Sequence, residues 1–291
     1  MSKKGYIRTD LATEAKEYAD IDSHRGIKYK EYRLRGVEIS DMKITTEEGC
    51  RIIGKPMGRY ITVECGRTWL MEDSEKERVT EVISELICQL IPRRDTTVLV
   101  AALGNRSITA DALGPLCAQR LIVTRHIKEY DNDLFERMAH RALAAIAPGV
   151  VGQTGIETLE LIRGCIDRVK PDILIAIDAL AARSVDRLAT TVQLTDSGIA
   201  PGSGIGNKRR EINRDTVGIP VIAIGVPTVV DSSTLVYDAL NKAGIEDIDS
   251  SLTEVLENGR SFFVSLKESD IAVEESAFLI ADALNKAFCL S

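Results

Sequence analysis

Residues 171–182 read P-D-I-L-I-A-I-D-A-L-A-A, in which five consecutive apolar residues end at a single carboxylate, Asp178. An unbroken apolar run, in contrast to an alternating one, is typical of a strand covered on both faces in a parallel sheet. In open α/β sheets, ligands and chemistry gather at the carboxyl ends of such strands. Asp178 therefore either caps the next helix or serves as a catalytic carboxylate, and the rest of the chain bears on that choice.

Two further apolar runs, with amphipathic segments between them, extend this pattern. Residues 97–103 read T-V-L-V-A-A-L and residues 219–226 read I-P-V-I-A-I-G-V, so each predicts another buried strand. Helices are predicted at residues 72–91, 133–147, 154–170, 232–243 and 268–288. Because strands that alternate with helices form βαβ units, the sequence predicts an α/β fold with a mainly parallel twisted sheet flanked by helices.

The first 70 residues lack this alternation of strands and helices. Residues 1–26 are polar and charged, which is typical of an exposed, mobile arm. Residues 27–70 alternate loosely and are punctuated by glycine and proline. We therefore expect a small β-rich, antiparallel section in residues 27–70, packed beside the main sheet.

Composition narrows the functional classes. The chain has 291 residues, of which 44% are hydrophobic and only 4% aromatic, and its net charge is −7. Few aromatic residues and a negative charge argue against a nucleic-acid binder. No apolar run is long enough to span a membrane and the N-terminus lacks a signal-peptide core, so we expect a cytoplasmic protein. The six cysteines include no C-x-x-C pair, which favours free thiols over a disulfide framework or zinc site.

Two aspartates follow two different predicted strands. Asp111 lies in the loop after residues 97–103, and Asp178 ends the run at 173–177. The ends of parallel strands can lie side by side, so these carboxylates can share one site. A close carboxylate pair does not easily ionise twice, so one member holds a proton while the other is a base. Such a pair suits the activation of water against an amide, with the protonated partner polarising the carbonyl.

A glycine-rich, basic loop precedes the third strand. Residues 197–210 read S-G-I-A-P-G-S-G-I-G-N-K-R-R. A phosphate- or nucleotide-binding loop is one interpretation, although neither G-K-[ST] nor G-x-G-x-x-G opens a helix here. A flexible surface loop is another. The third is a loop whose backbone approaches an extended peptide while its cations face acidic side chains. The substrate-binding candidates are Gly202, Gly204, Lys208, Arg209 and Arg210.

The chain also resembles a known family. Residues 198–231 read G-I-A-P-G-S-G-I-G-N-K-R-R-E-I-N-R-D-T-V-G-I-P-V-I-A-I-G-V-P-T-V-V-D and resemble the signature of the germination proteases of endospore-forming bacteria. The segments D-I-L-I-A-I-D-A-L-A-A-R at 172–183 and L-G-N-R-S-I-T-A-D-A-L-G-P at 103–115 resemble two further blocks. The segment R-T-D-L-A-T-E at 8–14 resembles the propeptide cleavage site.

The resemblance implies an endopeptidase that degrades small acid-soluble spore proteins during germination, in the cytoplasm of the forespore or spore core. It implies a homotetrameric zymogen that removes its own N-terminal segment by cutting between an acidic residue and an apolar residue followed by Ala. On this chain the cut falls between Asp10 and Leu11, so residues 1–10 are the propeptide and residues 11–291 the peptidase domain. The essential aspartates of the family correspond to Asp111 and Asp178.

The family is similar in fold to the hydrogenase-maturation peptidases, which bind a metal through two acids and a histidine that follows a third strand. Asp111 and Asp178 match those acids, but the third strand continues as G-V-P-T at 225–228, without histidine. Two carboxylates alone make a poor transition-metal site, so we expect no resident cofactor. A metal-dependent peptidase with a weakly bound divalent metal stays open as the alternative.

Overall fold

The computed structural model describes residues 8–16, 26–91, 96–202, 210–245, 249–258 and 262–289. In these parts of the chain, nine strands form one sheet in the order β1-β2-β3-β7-β8-β6-β4-β5, and β9 pairs with β8. The strands are β1 (Ile27–Leu34), β2 (Val37–Ile44), β3 (Gly58–Glu64), β4 (Thr97–Ala102), β5 (Ala142–Ile146), β6 (Ile173–Ala182), β7 (Thr191–Thr195), β8 (Val221–Asp231) and β9 (Phe263–Val264).

Helices cover both faces of this sheet. They are α1 (Ala12–Lys16), α2 (Glu47–Ile53), α3 (Asp73–Leu90), α4 (Leu113–Arg120), α5 (Arg125–Tyr130), α6 (Asn132–Met138), α7 (Val151–Thr154), α8 (Thr158–Val169), α9 (Arg214–Val217), α10 (Ser232–Lys242), α11 (Ser250–Asn258) and α12 (Ser269–Phe288). Short 3-10 turns occur at Thr68–Leu70, Thr109–Asp111 and Val185–Arg187. Within these described residues, no helix is both long and apolar enough to cross a bilayer.

The predicted α/β architecture is confirmed by β6 and its neighbours. Strands β5, β4, β6 and β8 run parallel, and Ile175 of β6 pairs with Val100 of β4 and Ile222 of β8. Alternate residues of β6 enter different cores. Ile175 belongs to the core that contains residues of α3 and α12, whereas Leu174 belongs to the core that contains residues of α8. Burial on both faces explains why this strand reads as an unbroken apolar run.

The N-terminal strands continue the same sheet instead of packing beside it. β1, β2 and β3 form an antiparallel meander, and β3 pairs antiparallel with β7, which pairs antiparallel with β8. The expected β-rich section at 27–70 is therefore present, but it is joined to the main sheet through β7. The physical reason is that β7, antiparallel to β8, presents a further edge whose backbone groups need partners.

Two predicted helices have different bounds in the structure. The segment at 133–147 is helical only to Met138, and Ala142–Ile146 is the edge strand β5, because pairing with β4 overrides the helix propensity of its alanines. The segment at 154–170 is broken by Gly155, which adopts φ +71° and ends α7. The second helix, α8, begins only at Thr158.

The strand β6 extends beyond β4 and leaves part of one edge free. Ala102, the last residue of β4, pairs with Ile177, whereas β6 continues to Ala182. The N-terminal segment 8–16 lies against this free edge, and the Asp10 amide donates to the Ala181 carbonyl at 2.9 Å. The prediction that residues 1–26 form an exposed arm is therefore wrong for residues 11–14, which are buried.

Candidate active site

Asp178 lies where β6 passes the end of β4. Its side chain is only 5% exposed, and its Oδ1 accepts a hydrogen bond of 3.0 Å from the Ala179 amide. On the neighbouring strand β8, Asp178 pairs with Gly225. A Cβ on Gly225 would stand 2.5 Å from the Leu180 side chain, so the glycine leaves the room that Leu180 fills. The carboxylate is thus held on a well-packed part of the sheet.

Asp111 is positioned by the loop that follows β4. Gly104 has φ +112°, and the Asn105 amide donates both to the Asp111 carbonyl at 3.0 Å and to Asp111 Oδ2 at 2.9 Å. The Thr228 hydroxyl on β8 donates to the Ala110 carbonyl at 2.6 Å. The loop is therefore fixed from two sides, by its own turn and by β8.

The structure brings these two aspartates to one cavity. Asp111, Asp178 and Asp10 all line a cavity of about 260 Å³ at the end of β6, together with Thr228 and Gly202. Two carboxylates that share a small cavity can divide one proton between them, which provides an acid and a base. This is the arrangement expected from the strand ends, and the catalytic role of the two groups stays a prediction.

The donors at this cavity do not fit a resident transition metal. Over the described residues, no group of three or more His, Cys, Asp or Glu side chains is placed to hold a metal ion. The third strand contributes Thr228 to the lining of this cavity, and its hydroxyl donates to the Ala110 carbonyl.

Asp10 and Leu11 are bound by the free edge of β6. Asp10 pairs with Ala181 twice, because its amide donates to the Ala181 carbonyl and its Oδ2 accepts from the Ala181 amide, both at 2.9 Å. Leu11 is fully buried in an apolar pocket. The buried residues that form this pocket with it are Leu180, Ala182, Leu188 and Val230. One backbone hydrogen bond and one side-chain hydrogen bond thus hold Asp10 on this edge, just before α1 begins at Ala12.

Glu14 fixes the far end of this segment. Its fully buried carboxylate accepts from the amides of Arg183 at 2.8 Å and Ser184 at 3.0 Å, and also from the Thr9 hydroxyl. The Arg187 guanidinium lies 3.7 Å away. A buried carboxylate is tolerated only when it is paired and hydrogen-bonded, as it is here.

Two further side chains bind the backbone of the segment, and the sequence analysis missed both. Lys55 Nζ donates to the Thr9 carbonyl at 2.9 Å. Burial lowers the pKa of Lys55, while the charges of Asp10 and Glu14 oppose that shift. Gln193 of β7 donates through Nε2 to the Asp10 carbonyl at 3.1 Å and accepts through Oε1 from the Ala12 amide at 2.8 Å.

The signal for Gln193 was present in the sequence of β7. The strand reads T-V-Q-L-T, so Val192 and Leu194 face the core while a single amide side chain faces the other side. A polar residue in the middle of a fully buried strand needs a partner. A second cavity, of about 420 Å³, lies on the other side of Asp10 and is lined by Lys55, Tyr60 and Gln193. Arg8 and Thr9, which precede Asp10, form part of its wall.

The predicted substrate loop is only partly described. Gly202 lines the cavity that holds the two aspartates. Arg210 is exposed and is not among the lining residues of that cavity. Gly204, Lys208 and Arg209 lie outside the described residues, so their role stays a prediction.

Comparisons with known proteins agree on one family. Residues 7–243 match the family model described as germination protease. The chain is 40% identical to the germination protease of Caldanaerobacter subterraneus subsp. tengcongensis, across 97% of this chain and 94% of that protein. It is 44% identical to the germination protease of Bacillus licheniformis, across 81% of this chain and 66% of that protein.

Among solved structures, the chain is similar to a [NiFe] hydrogenase maturation protease, HycI, from Thermococcus kodakarensis KOD1. The TM-score is 0.38 and the sequence identity is 15%, with 69% of this chain and 97% of that chain covered. A match at this TM-score says nothing about activity.

Proposed function

The chain belongs to the germination protease family and is a protease; on that premise we propose that it is a self-processing endopeptidase in which Asp111 and Asp178 activate water. The observation that carries this proposal is that Asp10 lines the same cavity as both aspartates. The bond proposed for self-cleavage, Asp10–Leu11, therefore begins at the wall of that cavity. Residues 1–10 are the propeptide of this proposal.

The proposed substrates are small acid-soluble spore proteins, cut during germination in the cytoplasm of the forespore or spore core. The contacts of the chain's own segment support a preference for an acidic residue followed by an apolar residue and alanine. Asp10 is bound through its carboxylate by the Ala181 amide, and Leu11 fills an apolar pocket. Ala12, only 1% exposed, leaves no room for a large side chain.

The proposed mechanism uses one proton shared by the two aspartates. The ionised carboxylate takes a proton from water, and the oxygen of that water attacks the Asp10 carbonyl carbon while the protonated carboxyl polarises the carbonyl oxygen. The tetrahedral intermediate then collapses, the C–N bond breaks, and the carboxyl that took the proton from water gives it to the Leu11 nitrogen. The products are a new carboxylate at Asp10 and a new amine at Leu11.

Two further parts of the proposal concern binding and assembly. The basic residues Lys208, Arg209 and Arg210 would face acidic side chains of the substrate, because opposite charges form strong hydrogen bonds. The assembly proposed from the family resemblance is a homotetramer, which analytical ultracentrifugation of the full chain would test.

The decisive experiment compares Asp111→Asn and Asp178→Asn with the wild type. Mass spectrometry would follow the loss of the ten N-terminal residues, and a peptide containing R-T-D-L-A-T-E would report cleavage of a separate substrate. We expect wild type to do both and each variant to do neither. The matched control is Asp167→Asn, because Asp167 is an exposed acid on α8. Self-processing by both the Asp111→Asn and the Asp178→Asn variants would refute the assignment of these residues as catalytic. Loss of wild-type activity on chelation, restored by stoichiometric metal, would favour the metal-dependent alternative.

A further inference from the structure

The side chain of Gln193 forms hydrogen bonds with the backbone on both sides of the bond proposed for cleavage. Its Nε2 donates to the Asp10 carbonyl oxygen at 3.1 Å, and its Oε1 accepts from the Ala12 amide at 2.8 Å. These partners fix the orientation of the amide group, because a backbone N–H can only donate and a backbone carbonyl can only accept. The Asp10 carbonyl is the group that hydrolysis of the Asp10–Leu11 bond attacks.

Gln193 and Asp178 stand on one cross-strand row of the sheet. Gln193 of β7 pairs with Gly225 of β8, and Gly225 pairs with Asp178 of β6. Side chains that pair across strands point to the same face. Two strand spacings separate the donor from the acid, about 10 Å between their Cα atoms. Gly225 lies between them, and the Leu180 side chain packs over it. Asp10 lines the cavity that contains Asp178 and also the cavity that Gln193 lines.

The donor is also held rigidly before any reaction. Gln193 is 6% exposed, and its strand is paired on both sides, with Thr62 of β3 opposite it and Gly225 on β8. Lys55, the nearby cation, donates instead to the carbonyl of Thr9, one residue earlier. A fixed N–H aimed at a carbonyl oxygen stabilises the negative charge that develops there, at no cost of reorganisation during the reaction.

We propose that Gln193 is a catalytic residue whose Nε2–H stabilises the oxyanion formed from the scissile carbonyl. This inference rests on the proposed function, because it assigns a role at the same site. As the water oxygen bonds to the Asp10 carbon, the carbonyl electron pair moves to the oxygen and the hydrogen bond from Gln193 strengthens. The same oxygen returns the electron pair when the C–N bond breaks.

The test is the rate of self-processing in the full chain with Gln193→Glu and Gln193→Met. Gln193→Glu keeps an oxygen that accepts from Ala12 but removes the donor, and Gln193→Met removes both. Removal of one such donor costs about 10²- to 10³-fold in rate. We expect Gln193→Glu to process at least about 10²-fold more slowly, while hydrogen exchange shows that the Ala181 amide is as protected as in wild type.

A pH series gives a second readout that a merely structural role would not move. Protonation of the new carboxyl in Gln193→Glu restores a donor, so its rate relative to wild type should rise as the pH falls, whereas that of Gln193→Met should not. The control is Gln89→Glu, an exposed site on α3 that should process as wild type does.

Three outcomes decide the matter. Processing of Gln193→Glu within about threefold of wild type overturns the inference, and so does a loss of rate matched by an equal loss of protection at Ala181, since Gln193 would then only hold the segment. Failure of wild type to process at all would instead reject the proposed function, and the inference with it. These results are distinguishable because the wild-type chain is measured alongside each variant.

Discussion

Replacement of Gly104 by alanine tests how tightly the backbone after β4 positions Asp111. Gly104 adopts φ +112°, and a Cβ built there would lie 2.1 Å from the Asp111 carbonyl oxygen and 3.1 Å from its Oδ1. Real Cβ atoms do not approach other atoms within 3.0 Å. The Asp111 carbonyl must therefore move by about 0.9 Å to admit the methyl group, and it takes the carboxylate with it.

Two separate penalties follow from Gly104→Ala. A positive φ at a residue with a Cβ costs about 1–3 kcal/mol of folding free energy. A displacement of about 1 Å in a catalytic group costs about 10²-fold in rate. We therefore expect the melting temperature to fall by several degrees and self-processing to slow by about 10²-fold, even at temperatures where the variant is fully folded.

The matched control is Gly36→Ala. Gly36 lies in the hairpin between β1 and β2 with φ +83°, and a Cβ there would meet nothing within 4 Å. The Gly36→Ala variant has the backbone strain of a positive φ but no steric clash. It should therefore lose stability but process itself at the wild-type rate. Differential scanning calorimetry would measure stability and mass spectrometry the rate. If Gly104→Ala, fully folded, processes as fast as Gly36→Ala, then Asp111 is not the group that this loop positions for catalysis.

Two further predictions concern docking and pH. Leu11→Ala removes a fully buried side chain, a change that costs about 2–5 kcal/mol, so docking of the N-terminal segment should weaken at least about 30-fold and the Ala181 amide should exchange faster. The control Leu70→Ala, at a residue 68% exposed, should change neither the docking nor the amide exchange. Unchanged exchange in Leu11→Ala would contradict the docked segment. Burial, with a smaller contribution from Asp282, raises the pKa of the Cys117 thiol in the folded protein, so the unfolded chain releases this proton more readily. The contribution of Cys117 to stability is therefore complete below about pH 8.5 and is lost as the pH rises. Urea unfolding at pH 7.5 and pH 10 should therefore show a loss of stability that is about 2 kcal/mol smaller in Cys117→Ala than in wild type, and equal losses would show that the thiol is not shielded.

The sequence predicted the features whose pattern is local. The helix expected at 72–91 is α3, Asp73–Leu90, because its apolar stripe repeats at helical spacing and a proline at position 92 of the sequence predicts the end of a helix. The apolar run before Asp178 predicted a doubly covered strand, and β6 is one. The meeting of Asp111 and Asp178 at one cavity followed from parallel strand ends, a rule that needs no knowledge of distant contacts.

Features that depend on distant partners could not be predicted in this way. Ala142–Ile146 is alanine-rich and reads as helix, and only its pairing with β4 makes it a strand. The burial of Leu11 depends on a pocket formed by residues about 170 or more positions later in the chain. The lone amide of Gln193 in the buried sequence T-V-Q-L-T signals that the side chain needs a partner, but only the structure shows that its partners are two backbone groups of the N-terminal segment.

The part of the β6 edge that extends beyond Ala102 is occupied at Ala181 by Asp10 of the protein's own N-terminal segment. Under the proposed function, a molecule that still carries its propeptide cannot bind a protein substrate, however concentrated that substrate becomes. Active enzyme would then accumulate at the rate of self-cleavage within each molecule, so dilution of the protein would not delay the onset of substrate degradation.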